Sequence, residues 1–451
     1  MRIALSIPIS LKEIAYAVGV DYIGEERIIT HVTTDSRLAC CGDLFVAIAG
    51  ERDDGANYIG EAEAIGAYTL AGTDDATIRC NDGTAALLAL AAHYKEKLTE
   101  LKYTVAITGS VGKTTTKEIL SKLLRKRYKT HKTHGNQNNA IGLSYTLLTA
   151  PSDCEALVVE LGMNHSGEIS ALSRAVKPDY AIITNIGTAH IGNLGSKEKI
   201  AEAKLEILDG LKGKIIVPYG EELLAVSDAI TYSIKSHEAD VLLEMQDSNS
   251  TYELFINNQA TKARIFTDAE HIAKCTSAAI AAALICNLPI EDIIGFSINT
   301  SDNIRQSLIH FEKYDVIDDS YNASIESFEA GMKHMLTLEK YSVRSVLIGD
   351  ILELGTHTYE IHYRLGLLCS KYGIDKIYGY GRYSAAVCEG AIAGGIDSSR
   401  IFINTESDRP DISAMQILGA VEDGEVIYAK GSHKSRVSDI IDLLKKPEGE
   451  V

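Results

Sequence analysis

The sequence predicts an α/β protein of three domains, and three observations lead to this prediction. The chain has 451 residues, of which 45% are apolar and 24% charged, an ordinary composition for a globular protein of several domains. From residue 103 onward, short apolar runs alternate with helical stretches, as in a parallel sheet covered by helices. This alternation restarts after residue 310. We therefore expect domains over residues 1–98, 99–308 and 309–451.

The first domain is expected to be a small α/β unit, because its strand-like and helical runs are short. The run DLFVA at 43–47 predicts a strand, and residues 58–67 predict a helix followed by a second strand. Residues 84–98 carry apolar side chains at helical spacing. They predict a helix that leads into the next domain.

The second and third domains are each expected to contain a parallel sheet. In the second domain, strands are predicted at 104–108, 155–160 and 180–186, and helices at 115–127 and 197–211. In the third domain, strands are predicted by apolar runs at 314–318, 345–350, 376–381 and 425–431. The third unit resembles an open Rossmann-like sheet, although no G-x-G-x-x-G run follows its first strand.

The charge balance and the lengths of the apolar runs exclude several classes of protein. The chain carries 44 Lys and Arg against 62 Asp and Glu, a net charge of −18 that disfavours nucleic-acid binding. No stretch reaches the ~18 uninterrupted apolar residues of a membrane-spanning helix. The first ten residues carry one basic residue and a short apolar run broken by Pro8, so a signal peptide is not expected there. We expect a cytoplasmic protein without membrane insertion, whose eight scattered cysteines are reduced thiols.

A glycine-rich segment between a predicted strand and a predicted helix is the strongest local motif. Glycines let the backbone wrap a phosphate chain, a lysine supplies positive charge, and a threonine hydroxyl can bind Mg²⁺. Ile107 stands where the full G-x-x-x-x-G-K-[ST] pattern has its first glycine, so the motif is a shortened one. The segment predicts a nucleotide-phosphate site rather than an ordinary turn. The residues assigned to it are Gly109, Ser110, Val111, Gly112, Lys113, Thr114 and Thr115.

Polar residues also follow the next two predicted strands. Glu160 closes the run EALVVE, Asn185 closes YAIITN, and His190 comes shortly after. In an open parallel sheet, ligands bind beyond the carboxyl ends of the strands, where these residues and the glycine segment would meet. Glu160 there could hold Mg²⁺ beside a triphosphate. A solvated glutamate and an ordinary loop histidine remain the alternative interpretations.

Other polar stretches leave their roles open when the residues alone are considered. Asn138 lies in the amide-rich loop GNQNNAIG at 135–142, which serves either for ligand contacts or for turns and caps. Asp319 and Asn322 follow a strand and either bind a ligand or cap a helix. Lys430 begins a similar strand-to-helix turn. Lys204 lies among glutamates in a predicted helix, where spacing alone favours a solvated lysine.

Taken together, these stretches resemble the Mur ligase family, ATP-dependent amide-forming enzymes of peptidoglycan precursor synthesis. The resemblance covers nearly the whole chain, and its many matches in order are more specific than any one of them. The matching runs are TTDSR (33–37), GDLFVAIAG (42–50), TGSVGKTTTKE (108–118), GNQNNAIG (135–142), ELGMNHSGEI (160–169), ITNIGTAHIGNLGS (183–196), AEAKLEI (201–207), IDDSYNAS (317–324), IGDILELG (348–355) and KGSHKSR (430–436).

The resemblance implies a UDP-sugar-binding N-terminal domain, a central P-loop ATPase-like domain and a C-terminal Rossmann-like domain that closes over the site. It implies ATP and Mg²⁺ as cofactors, with Lys204 carried as a carbamate that binds metal. The positions implied for UDP binding are Thr34, Asp35, Ser36 and Arg37. The implied metal positions are Thr114, Glu160, His190 and Lys204. Arg305 and Asp319 match positions that contact ATP, and Asn322 and Lys430 are assigned to substrate.

The resemblance further implies a particular reaction. The runs DDSYNAS and IGDILELG favour the member that joins D-alanyl-D-alanine to a UDP-N-acetylmuramoyl-tripeptide through an acyl phosphate, with Lys113, Lys204, His190 and Arg305 as catalytic residues. A monomer is expected. The sequence departs from the family pattern at Ala56, Cys275, Ile325 and His433.

Three alternatives to this reaction remain. The diamino-acid-adding member of the family carries a D-N-P-R run, which is absent here. A divergent paralogue would take another amine acceptor. An inactive nucleotide-binding scaffold is disfavoured by the joint presence of Lys113, Glu160, His190 and Lys204.

Overall fold

A computed structural model describes residues 1–50, 53–246, 250–267, 269–298 and 307–446. Within these ranges, three β-sheets follow one another along the chain, with five, ten and six strands. The largest apolar cluster contains buried side chains from all three sheets, among them Val32, Val159 and Ile348, so the three units pack against each other. Within the described ranges, no helix combines the length and apolar character needed to cross a membrane. The eight cysteines are free thiols.

In its described residues, the N-terminal unit is a five-stranded sheet whose first pair of strands is antiparallel and whose other pairs are parallel. The predicted strand at 43–47 and the helices and strand predicted at 58–67 and 84–98 are confirmed, with ends shifted by a few residues. Its elements are β1 (Arg2–Ser10), α1 (Leu11–Ala17), β2 (Ile28–Thr33), β3 (Leu44–Val46), α2 (Ile59–Ala64), β4 (Tyr68–Ala71), β5 (Ile78–Arg79) and α3 (Gly83–Glu96).

Helix α3 fixes this first unit to the rest of the chain. Tyr94 on α3 is fully buried, and its hydroxyl group donates a hydrogen bond to the Ala150 carbonyl at 3.2 Å. The same hydroxyl accepts one from the Ile7 N–H at 3.2 Å. A buried hydroxyl with partners on both sides orients the two units without leaving a polar atom unsatisfied.

The central unit is a ten-stranded mixed sheet in the order β15-β14-β13-β12-β11-β10-β9-β6-β8-β7. The three predicted strands are β6, β8 and β9, and they pair in parallel as expected. Its elements are β6 (Tyr103–Thr108), α4 (Lys113–Leu124), β7 (Thr130–Lys132), α5 (Ala140–Leu148), β8 (Ala156–Glu160), α6 (Glu168–Val176), β9 (Tyr180–Ile183), α7 (Ile191–Leu194), α8 (Lys197–Leu205), β10 (Ile215–Pro218), β11 (Ile230–Ser233), β12 (Val241–Met245), β13 (Thr251–Ile256), β14 (Gln259–Thr267), α9 (Glu270–Ile285), α10 (Ile290–Ile293) and β15 (Ser297–Ile298).

The predicted parallel sheet is confirmed for β6, β8 and β9, and on one side it continues into antiparallel strands that the sequence pattern does not predict. Strands β12, β13 and β14 pair antiparallel and extend the sheet beyond β11. The turn between β13 and β14 contains Asn257 and Asn258, both with positive φ. Asparagine tolerates that left-handed conformation, which a tight hairpin requires.

The C-terminal unit is a six-stranded sheet in the order β16-β17-β21-β18-β19-β20, parallel except for β16 at its edge. The four predicted strands are β17, β18, β19 and β21. Its elements are β16 (Ser307–His310), β17 (Tyr314–Asp318), α11 (Ile325–Leu336), β18 (Val343–Gly349), α12 (Thr358–Lys371), β19 (Lys376–Tyr380), α13 (Ser384–Gly394), β20 (Ile401–Asn404), α14 (Pro410–Ala420), β21 (Glu425–Lys430) and α15 (Val437–Leu444).

Candidate active site

A cleft of about 1520 Å³ lies between the central and C-terminal units. It is lined by the carboxyl ends of β6, β8 and β9, by the start of α9, by α11 and by the turns after β18 and β21. Most residues predicted for the site line this one cleft, namely Gly109, Ser110, Val111, Gly112, Lys113, Thr114, Thr115, Asn138, Glu160, Asn185, His190, Lys204, Asp319, Asn322 and Lys430. Arg305, predicted to join the ATP site, lies outside the described residues.

The loop of residues 109–112, here called the phosphate loop, links β6 to α4 and needs glycine at both of its ends. Gly109 has φ +145°, and a Cβ atom there would lie 1.9 Å from Thr184 Oγ1. Gly112 has φ +87° and directly precedes α4. Only glycine adopts such angles at little cost. The backbone therefore turns sharply enough for the loop to meet the N-terminus of α4.

The N–H groups of the phosphate loop already face a polar acceptor. Ser110 and Val111 donate to Asn185 Oδ1 at 3.1 and 2.9 Å. The Lys113 ammonium group donates to the Gly109 carbonyl at 2.7 Å. N–H groups converging at a helix N-terminus beside a lysine form an anion site. A bound anion would therefore lie where Asn185 Oδ1 now accepts these hydrogen bonds.

Glu160 is the buried carboxylate of the cleft, and its interpretation as a solvated residue is wrong. Its side chain is fully buried and accepts hydrogen bonds from Thr114 Oγ1 and Asn138 Nδ2, both at 2.8 Å. The Thr133 hydroxyl receives its backbone N–H. These contacts hold the carboxylate beside the phosphate loop, as the strand-end position predicts.

Lys117, one turn after Lys113 on α4, is a site residue that the sequence pattern does not single out. Its side chain is fully buried, lies 3.9 Å from Glu160 Oε2 and donates to the Gly135 carbonyl at 2.8 Å. Burial lowers the pKa of Lys117, against the raising effect of the Glu160 and Glu118 charges. Its ammonium group thus joins the carboxylate to the amide-rich loop at 135–142.

Lys204 on α8 is buried, so its interpretation as a solvated helix lysine is also wrong. The side chain is 2% exposed, and within the described part of the chain no hydrogen-bond or ion-pair partner is found for its amine. Burial, and then repulsion from Lys113, hold the pKa of Lys204 well below its usual value. A larger share of this amine is therefore neutral than in an exposed lysine.

His190 directly precedes α7 and adopts the left-handed conformation, with φ +65°. Its Nδ1 lies 2.6 Å from Glu353 Oε2, a carboxylate in the turn after β18. This hydrogen bond holds the pKa of Glu353 below its usual value. A carboxylate on Nδ1 orients the imidazole, as is common where the other ring nitrogen binds a metal. Glu353 is a second site residue that the sequence pattern alone does not predict.

Asp319 and Lys430, predicted separately, pair with each other in the C-terminal unit. The Lys430 ammonium group donates to Asp319 Oδ2 at 2.7 Å, and the buried Tyr428 hydroxyl donates to the same oxygen at 2.8 Å. Asn322 Oδ1 accepts the Ala323 N–H at 2.8 Å. The pair is nearly buried but still lines the cleft.

The residues expected to hold UDP lie apart, in the turn after β2 of the N-terminal unit. Asp35 caps a short 3₁₀ helix at Ser36–Leu38 and binds the exposed Arg37 with two hydrogen bonds of 2.8 Å. That contact holds the pKa of Asp35 below its usual value. The Thr34 hydroxyl contacts the Tyr145 hydroxyl on α5, which places this segment at the junction with the central unit.

The donor set suits Mg²⁺ rather than a metal held by protein groups alone. In the described ranges, no three His, Cys, Asp or Glu side chains are close enough to bind an ion by themselves. Thr114 and Glu160 instead present a hydroxyl and a carboxylate beside the phosphate loop. Mg²⁺ binds with one or two such ligands and completes its shell with phosphate oxygens and water.

Comparisons with known proteins identify relatives of this chain. Residues 107–283 match the model of the Mur ligase middle domain. A UDP-N-acetylmuramoyl-tripeptide--D-alanyl-D-alanine ligase of Bacillus subtilis is 34% identical over 443 residues, which cover 94% of this chain and 95% of that protein.

Two solved structures are similar over nearly the full length. MurF from Acinetobacter baumannii has a TM-score of 0.86 at 28% identity, covering 98% of this chain and 99% of that one. MurF ligase from Thermotoga maritima, solved in complex with ADP, has a TM-score of 0.77 at 25% identity, covering 92% and 96%. Since the ordered motifs, the three-sheet architecture and a full-length relative agree, this chain belongs to the Mur ligase family.

Proposed function

We propose that this protein is an ATP-dependent, ADP-forming ligase that joins D-alanyl-D-alanine to UDP-N-acetylmuramoyl-tripeptide in peptidoglycan precursor synthesis. The observation that carries the proposal is the single cleft holding the phosphate loop, the buried Glu160 and the buried Lys204. The full-length relatives bearing the name of this ligase support the choice of substrates.

ATP would bind with its phosphates on the phosphate loop. The N–H groups of Ser110 and Val111 and the Lys113 ammonium group, now bound to Asn185 and to the Gly109 carbonyl, would turn to the phosphate oxygens. The exchange replaces neutral acceptors by charged ones, which strengthens each hydrogen bond. Asp319 and Arg305 are proposed to contact the nucleotide from the C-terminal unit.

Mg²⁺ would be held by Thr114 and Glu160, with His190 and a carbamate on Lys204 as further positions. When bound, it supplies positive charge between the nucleotide and the carboxylate substrate. A carbamate forms from a neutral amine and carbon dioxide, and the lowered pKa of the buried Lys204 favours that neutral form. The carbamate would turn a buried cation into a metal-binding anion.

The reaction must bring two anions together and then exclude water. The terminal carboxylate of the tripeptide attacks the γ-phosphorus, and the bond to ADP breaks. Lys113 and Arg305 neutralise charge in that transition state. The amine of D-alanyl-D-alanine then attacks the acyl carbon, phosphate leaves, and the amine proton is lost. The Asp319–Lys430 pair and Asn322 are proposed to border the acceptor.

We propose that each of the three units binds a different substrate. Residues 1–98 would hold the UDP-sugar through Thr34, Asp35, Ser36 and Arg37, residues 99–308 would bind ATP, and residues 309–451 would bring the acceptor and close the cleft. A cytoplasmic monomer suits substrates that are soluble nucleotides and dipeptides.

Acceptor competition tests the proposal. At saturating ATP, we expect D-alanyl-D-alanine to be ligated to the UDP-N-acetylmuramoyl-tripeptide faster than lysine or diaminopimelate is ligated to the corresponding dipeptide. Measuring ADP release and product mass across the panel checks this. Faster ligation of a free diamino acid would move the protein to another member of the family, and no ADP release with any acceptor would indicate an inactive scaffold.

A further inference from the structure

Two carboxylates of the C-terminal unit reach the same loop of the central unit, residues 184–190 after β9. Glu353 contacts His190, as described above. The second is Glu326, in the first turn of α11. Its Oε1 accepts the Thr188 N–H at 2.9 Å, and its Oε2 accepts the Thr188 hydroxyl at 3.1 Å. Thr188 is 6% exposed, so little water competes for these bonds.

The loop that Glu326 holds also contacts the phosphate loop. The Gly187 N–H donates to Ser110 Oγ at 2.9 Å. A Cβ atom on Gly187 would lie 3.1 Å from Ser110 Cβ and 3.1 Å from the Glu326 carboxyl carbon. Glycine is thus packed between the phosphate loop on one side and the C-terminal unit on the other.

The contacts of Glu326 lie across the junction rather than within its own unit. In the described part of the chain, no lysine or arginine forms an ion pair with it. Its neighbour one turn later, Glu329, behaves differently, because it binds Tyr372 at 2.5 Å and Lys333 at 3.3 Å inside the C-terminal unit. The negative charge of Glu326 is also favoured by the N-terminus of α11.

We propose that Glu326 is a positioning residue that docks the C-terminal unit onto the phosphate loop through Thr188 and Gly187, and so keeps water from the reaction intermediate. An acyl phosphate has two fates, attack by the acceptor amine or hydrolysis to the starting carboxylate and phosphate. Docking favours the first fate, because it closes the cleft where the intermediate forms. The inference that docking couples ATP consumption to amide formation rests on the proposed function, whereas the docking itself does not.

Amide hydrogen exchange of the protein without substrates tests the docking directly. The Thr188 N–H is protected by Glu326, so Glu326→Ala should speed exchange in a peptide spanning residues 186–192 by roughly 10-fold or more, the scale of one lost charged hydrogen bond. Glu329→Gln should leave that peptide unchanged. Faster exchange only within α11, with residues 186–192 unaffected, would show a merely structural role for Glu326 and overturn the proposal.

The ratio of ADP released to amide formed tests the coupling. We expect this ratio to stay near one in the unmodified enzyme and in Glu329→Gln, and to rise in Glu326→Ala. Gly187→Ala should raise it as well, since its methyl group must push Ser110 or Glu326 away. An unchanged ratio in both variants, despite faster exchange, would refute the coupling. If no acceptor is ligated by the unmodified enzyme, the proposed function fails, while the exchange result still decides the docking.

Discussion

Lys113→Ala is expected to lower the rate of ADP release by roughly 10²–10³-fold while leaving the fold intact. The Lys113 ammonium group lies at the phosphate loop, 2.7 Å from the Gly109 carbonyl, where it would meet the transferring phosphoryl group. Alanine removes that charge but keeps the helix, since alanine is the best helix former. Steady-state ADP release at saturating substrates measures the effect.

Lys122→Ala is the matched control, since Lys122 lies exposed on the same helix α4 and outside the cleft. We expect its turnover to equal that of the unmodified protein. Normal turnover of Lys113→Ala, with a normal thermal transition, would contradict the assignment of the phosphate loop.

Lys204→Ala is expected to be nearly inactive, and part of the activity should return when a short carboxylic acid is added. The buried position of Lys204 leaves a cavity in the alanine variant, and a small carboxylate filling it would restore the anion that the proposed carbamate would supply. Activity titrated against formate or acetate measures the rescue.

Lys199→Ala serves as the control, because Lys199 is exposed on the same helix α8. Neither loss nor rescue is expected there. Rescue of Lys204→Ala by a small amine instead of an acid would argue for a cationic lysine and against the carbamate. Circular dichroism of the variant separates a lost fold from a lost group.

Many of the strands can be predicted from the pattern of apolar and polar residues along the sequence. Strands β6, β8, β9, β17, β18, β19 and β21 are apolar runs bounded by glycine or polar residues, and buried parallel strands have that texture. The antiparallel extension β12–β14 cannot be predicted from local pattern. A short apolar run with mixed polarity cannot be assigned to a strand or a helix by periodicity alone. The place of the extension in the sheet is set by the pairing of β12 with β11 on one side and of β14 with β15 on the other.

Lys204 and Glu160 show where local pattern fails at the site. Around Lys204, glutamates at helical spacing favour a solvated lysine, yet the side chain points into the cleft and is 2% exposed. Only the tertiary packing of α8, which buries Ile200, Ala201 and Ala203 in the core, decides this. For Glu160, the strand-end position predicts the cleft correctly, but the two hydrogen bonds that hold the carboxylate come from Thr114 and Asn138, far apart in sequence.

Two departures from the family pattern lie in the cleft itself. The Cys275 thiol lies 3.8 Å from the Gly112 carbonyl, and burial raises its pKa. His433 contacts the edge of Tyr321, with ring centroids 5.8 Å apart. Both therefore line the cleft in which the substrates are proposed to bind, whereas Ala56 lies outside the cleft lining on the N-terminal unit.

Transfer of isotopic oxygen tests the central claim most directly. The tripeptide substrate is prepared with ¹⁸O in both oxygens of its terminal carboxylate and incubated with ATP, Mg²⁺ and D-alanyl-D-alanine. An acyl phosphate requires that one labelled oxygen leave with inorganic phosphate and the other remain in the new amide carbonyl. Mass spectrometry of both products reads this out. Unlabelled phosphate, or label recovered in AMP, would contradict the account, because the carboxylate would then not have been activated by the γ-phosphoryl group.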